Sequence, residues 1–207
     1  MKKFLMVSML YFSLGCSELA TEPSLSEESL EGGQWVAFCF SGMASWETRK
    51  AQYDGTNYQE SVEVFADSYC NSPAYSIEEN GTYEIPGKLE GSSMRKLDRT
   101  LGGIRMTPLS ALGVSNLNNM SFCGYSDWAL NVPREIAGLS CNGQQIPPVN
   151  TTYYDLFTIW SFTADDPDFP ISKGDLNFGF KWDGNDGTTE ELRPVSLTSP
   201  TFKRHPL

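Results

Sequence analysis

Apolar and polar residues alternate along this chain in short runs, and Gly, Pro, Asn and Asp gather between the runs. That period of two, with turn residues at the breaks, is the pattern of antiparallel strands. Residues 34–40 are apolar on both faces, as expected of a strand that faces an interior and is covered outside as well. Runs 45–53 and 56–66 flank Asp54-Gly55, a two-residue hairpin signal because Gly accepts the positive φ of a type I′ turn. Tyr58, Val62 and Val64 then share one face. Runs 74–79 and 82–85 repeat the device around Asn80-Gly81, pairing Tyr75 with Ile77 and Tyr83 with Ile85. Further strands are expected over 92–101, 103–106, 126–132, 135–141 and 152–163. A last hairpin over 176–182 and 188–192 leaves Arg193 near the end of the sheet. Between the strands, Thr107-Pro108 predicts a short helix over 108–118, with Thr as cap and Pro in the first turn. Leu109, Leu112 and Leu117 would form its packed stripe. The pattern predicts one all-β domain.

The N-terminus belongs to a different class. Lys2-Lys3, the apolar run 4–14 and a small residue before Cys16 have the layout of a secretory signal over residues 1–15. The apolar run is too short to span a bilayer. Ser13-Leu14-Gly15-Cys16 resembles the lipobox of bacterial lipoproteins, in which the cysteine is lipidated, although Ser13 stands where leucine is usual. That resemblance implies anchoring to the membrane through lipid on Cys16. Ser17, in place of an aspartate, favours the outer membrane. Residues 16–31, rich in Ser and Glu, read as a tether, with a capping box from Ser24 to Glu27 as the structured alternative. The domain proper is then 32–207, about 175 residues and large enough for its own core.

Charge narrows the function. The chain holds 15 Lys and Arg against 26 Asp and Glu. Removal of Lys2 and Lys3 with the signal leaves 13 against 26, a formal −13, which repels nucleic acid and anionic lipid heads. Without Cys16, four cysteines remain: Cys39, Cys70, Cys123 and Cys141. In an oxidising compartment an even number reads as two disulfides, with three possible pairings. Cys39 with Cys70 and Cys123 with Cys141 is preferred, because each closes a local loop between strand-like segments. The second loop, about 19 residues long, would contribute about 3 kcal/mol. No Cys-x-x-Cys occurs and the single histidine, His205, is close to the C-terminus, so neither a metal nor another cofactor is expected. The aspartates of 164–168 and 183–187 read as turn chemistry rather than calcium ligands. With no credible base for a nucleophile, catalysis is not expected.

Specific motifs carry a resemblance. Gly33-x-Trp35 on a first strand resembles the lipocalin signature. Tyr69-Cys70-x-x-Pro73-x-Tyr75-Ser76 with Gly81-Thr82-Tyr83 resembles the ectodomain of the adenomatosis polyposis coli down-regulated Wnt antagonists and bacterial lipoproteins with a similar domain. Lys96-Leu97-Asp98-x-Thr100, Asn118 then Cys123-Gly124 with Trp128, Tyr154-Asp155, Gly174-Asp175-Leu176-x-Phe178-Gly179 and Arg193-Pro194 follow in order. The resemblance implies a lipocalin-like antiparallel β-barrel of about eight to ten strands, with apolar or lipid-bearing ligands. It further implies a barrel-closing pair in which Trp35 lies under the guanidinium of Arg193, with Arg204 as the alternative.

Two functions fit these expectations. In the first, the barrel of a monomeric envelope lipoprotein holds a small apolar or lipid-like ligand, lined by Phe38, Phe40, Val62, Val64, Tyr75, Ile77, Tyr83, Phe178 and Phe180. In the second, the barrel is filled by its own aromatics and acts through its loops on an envelope protein or glycan. An eight-stranded barrel is of the size at which either is possible.

Overall fold

Strand alternation closes this chain on itself. The computed structural model describes residues 29–42, 45–161, 174–182, 184–198 and 200–205. The expectations for the signal, Cys16, the Ser24 cap and the aspartates of 164–168 lie outside the described residues. Eight strands run in the order β10-β9-β5-β4-β3-β2-β1-β11, every neighbour antiparallel. They are β1 (Gln34–Ser41), β2 (Trp46–Asp54), β3 (Asn57–Phe65), β4 (Pro73–Glu84), β5 (Arg95–Pro108), β9 (Thr152–Ile159), β10 (Leu176–Phe178) and β11 (Lys203–His205). Leu176 and Phe202 exchange both backbone hydrogen bonds, which joins β10 to the approach of β11. The result is a nearly closed, all-β, lipocalin-like barrel.

Between β5 and β9 the chain makes an excursion with the helix α1 (Ala111–Asn119) and three two-residue strands, β6 (Arg134–Glu135), β7 (Ser140–Cys141) and β8 (Gln144–Gln145). The helix starts later than Thr107-Pro108 predicts. Pro108 ends β5, and Ser110 is the cap, its Oγ accepting from the Gly113 amide at 3.1 Å. Of the expected stripe, Leu117 is buried but Leu112 is exposed. Residues 126–132 form no strand, and their place in the fold is set by Asn118, whose side chain bonds both the amide and the carbonyl of Trp128. Residues 188–192 are likewise turns, so β11 closes the sheet in their stead.

The two Gly-containing turn signals behave differently. The β2–β3 hairpin forms, with Asp54 paired to Asn57 and a Gly55-Thr56 loop. Only Gly55 takes positive φ, which is the type II′ pattern rather than the type I′ expected. Asn80-Gly81 makes no turn at all. It lies inside the continuous strand β4, where the register with β5 shifts around Gly102. A Cβ at Gly81 would stand 2.0 Å from the Thr100 carbonyl oxygen, so Gly serves here to let two backbones approach.

Both disulfides join the expected partners, Cys39 to Cys70 and Cys123 to Cys141. They suggest an oxidising, exported setting. No helix among the described residues is long and apolar enough to cross a membrane.

Candidate functional site: a cavity above a charged layer

Cross-strand pairing fixes which side chains share the barrel interior. Along one face run Trp35, Ala51, Glu60 and Glu79, each directly opposite the next, and beside them Tyr53 with Tyr58. The lower end is packed solid. Leu30, Trp35, Leu97, Phe157 and Leu176 are almost fully buried there, in one cluster with Tyr53, Tyr58 and Tyr83. The Trp35 indole N–H donates to the Leu30 carbonyl at 2.8 Å, so barrel packing begins within the stretch assigned to the tether.

Arg204, and not Arg193, closes this end. Arg204 is paired with Trp35 in the β1–β11 ladder, its guanidinium lies 4.5 Å from the indole centroid, and it donates to the Ser29 carbonyl. Arg193 is buried elsewhere, over Tyr154 at 5.3 Å, donating to the Asp155 carbonyl at 2.6 Å and pairing with Asp98 and Glu190. Both arginines follow the last long strand, and only the register separates them.

Above the packed end lies a layer of charge. Arg99 bridges Glu60 at 2.5 Å and Asp155 at 2.9 Å. Tyr53 donates to Glu60 at 2.7 Å and Tyr58 to Glu79 at 2.6 Å. Asp155 also accepts from the amides of Leu156 and Gly179 and pairs with Lys181 at 3.2 Å. Four donors thus converge on one carboxylate, which ties β5, β9 and the end of β10 together. Burial pushes the Asp155 pKa up, but Lys181, Arg99 and the Leu156 amide outweigh it and hold the carboxyl below its ordinary value. Glu79 goes the other way, raised by burial against the pull of Arg99. Burial also pushes the Tyr153 hydroxyl, near Glu79, up to about 12.

On this layer rests a cavity of about 470 Å³, within the size range of small-molecule sites. Phe40, Phe178, Phe180, Phe202 and Val62 supply apolar wall, while Glu47 and Arg49 form an ion pair at 2.8 Å on the β2 side. The cavity is flanked by a split in the sheet. β11 pairs with β1 only over Gln34–Val36, and the chain before it turns to β10 instead, where Thr198 donates to Phe178 and Phe180 to Ser196. Pro200, on the cavity wall, has no N–H to offer β1.

Of the nine expected lining residues, Phe40, Val62, Phe178 and Phe180 border this cavity. Phe38 does not; alternation from the inward Trp35 and Ala37 leaves it 60% exposed, its ring meeting His205 edge-on at 5.5 Å, and a bulge between Ala37 and Phe40 shifts the parity of β1 so that Phe40 points in. Tyr83 belongs to the packed end. Tyr75 and Ile77 pack into a second core with Ile104, Met106, Leu117 and Trp128, held by the Cys123–Cys141 disulfide. Val64 is buried but does not reach the cavity. Sequence reasoning passed over Glu60, Arg99 and Asp155. Their signal is parity: each charge occupies an inward position in an alternating run, Glu60 between Tyr58 and Val62, Arg99 between Leu97 and Leu101, Asp155 between Tyr153 and Phe157.

Comparison with known proteins adds no family: no protein-family model matches this chain, and no curated protein matches it.

Proposed function

We propose that this protein is an exported envelope lipoprotein, anchored through Cys16 at the outer membrane, whose barrel binds a small apolar or lipid-like ligand. It acts as a monomeric binding protein and not as a catalyst. The observation that carries this is the cavity of about 470 Å³, walled by Phe40, Val62, Phe178 and Phe202 and open beside the β1–β11 split. A barrel filled throughout by its own side chains would leave no such space, so the alternative of a purely structural or adhesive surface protein draws its support only from the packed lower end. The Trp35–Arg204 closure, which the lipocalin resemblance implies, supports the same reading. Native mass spectrometry of protein purified from its own envelope tests it. A reproducible small adduct, lost from a Val62→Trp variant that fills the cavity, is expected. Consistently ligand-free protein that also binds no apolar dye would overturn it.

A further inference from the structure

The cavity is polar where it is deepest, and its charges cancel. Arg99 and Asp155, whose side chains are 8% and 3% exposed, form its floor with Glu60 and Lys181. Arg49 and Glu47 complete the inward charges that line the cavity, giving three cations against three carboxylates; Glu79, inward on β4, does not border it. Lys50 also borders the space, but its pairing with Val36 and Ser61 places it on the opposite face of β2 from Arg49. In a chain with 15 basic and 26 acidic residues this balance is local, and it has a consequence for recognition. A ligand with net charge would be taken from water into a floor whose own charges are already paired, with no counter-ion left for it. A head group without net charge meets no such cost.

Hydrogen-bonding capacity remains. One oxygen of Glu60 takes both Tyr53 and Arg99, while the other meets no donor among the described residues. Lys181 uses one N–H on Asp155 and has two more to give. The floor therefore offers an acceptor and donors side by side. Large apolar side chains next to the wall reach solvent: Phe180, on the wall, is 47% exposed, and Trp182, two residues on, and Val195, beside the Ser196 that pairs with Phe180, are 54% and 59% exposed.

We propose, building on the cavity as a ligand site, that the ligand is an amphiphile bound head-first. Its head is a net-uncharged group that both donates and accepts hydrogen bonds, polyhydroxylated or zwitterionic, seated on Glu60 and Lys181. Its apolar tail leaves past Phe180 toward the exposed Trp182.

Calorimetry on the full chain with dodecyl maltoside, dodecanoate and dodecyltrimethylammonium, each below its aggregation concentration, tests the assignment. Dodecyl maltoside is expected to bind at least about tenfold more tightly than either ion, a difference of about 1.4 kcal/mol. Lys181→Met leaves one unmatched carboxylate and should move the preference toward dodecyltrimethylammonium. Glu60→Gln leaves one unmatched cation and should move it toward dodecanoate. A dodecyl maltoside analogue brominated at the tail end should quench the exposed Trp182 and leave the blue-shifted emission of buried Trp35. Equal binding of all three probes, with a ranking that neither variant moves, overturns head-first recognition and leaves the cavity as an apolar site. Failure of every probe and of an apolar dye to bind overturns the cavity reading as well.

Discussion

The two ends of the barrel are built from the same strands and solve opposite problems. At the lower end Trp35, Leu97, Phe157 and Leu176 meet across the axis with almost no exposure, and Arg204 seals the indole from outside. At the upper end the same strands carry Phe40, Val62 and Phe178 around empty space. Between them lies the Arg99 layer, which neither end could omit. It finishes the packed core with paired charges and gives the hollow part a floor. The difference teaches that side-chain size does not decide whether a small barrel is full. The sheet's closure decides it: where β11 stays with β1 the interior is packed, and where the chain leaves for β10 it is open.

Substitutions should separate the two ends. Trp35→Ala empties the packed end and is expected to cost about 3–5 kcal/mol in chemical denaturation. Val62→Ala, on the cavity wall, should cost less than about 1 kcal/mol, since no tight packing is lost there. Equal losses at both sites would erase the distinction. Arg99→Met, which strands Glu60 and Asp155 without their cation, should cost about 3 kcal/mol or more by the same measurement. Reduction of the Cys123–Cys141 disulfide, as a paired Cys→Ala variant, should cost about 3 kcal/mol, since 18 residues separate the cysteines. It should loosen the second core around Trp128 and leave Trp35 emission unchanged.

The smallest effect concerns pH. The Glu79 pKa is raised in the folded protein, so the fold binds its proton more tightly than the unfolded chain does. Its contribution is present at low pH and declines as pH rises above the ordinary value of 4.5 through the folded value. Asp155, lowered, contributes above the unfolded value of 3.8 and is lost as pH falls through the folded value. Glu79→Gln should therefore flatten the decline in melting temperature on the alkaline side of 4.5 and leave the acid limb in place. A decline that keeps its slope in the variant would assign it to other groups.

Much of the architecture was legible because alternation and local loops are short-range properties. The β2–β3 hairpin and both disulfides follow from segments close in sequence. What escaped depends on register, which no single strand contains. Gly81 beside Asn80 has the composition of a turn, yet its lack of a Cβ is used against Thr100, a residue of the neighbouring strand. Arg193 and Arg204 are equivalent as late arginines until the pairing of Trp35 with Arg204 distinguishes them. For the cavity, four of the nine residues expected from hydrophobicity border it. Its charged floor required reading polar residues at inward parity as part of the interior, and the bulge between Ala37 and Phe40 lets both of these point in while Phe38, expected to share the face of Phe40, points out.

Gly81 also bears on how the chain finds this structure. Strands β4 and β5 form the longest ladder of the barrel, and a register slip would place Asn80 or Thr82 against a carbonyl that tolerates no side chain. Mispaired hairpins are thus penalised at one point while the correct one is free to zip. Closing the barrel then pairs β5 with β9 and β1 with β11, far apart in the sequence and late to meet, so a hairpin already held in register at this single position limits the errors that closure would lock in.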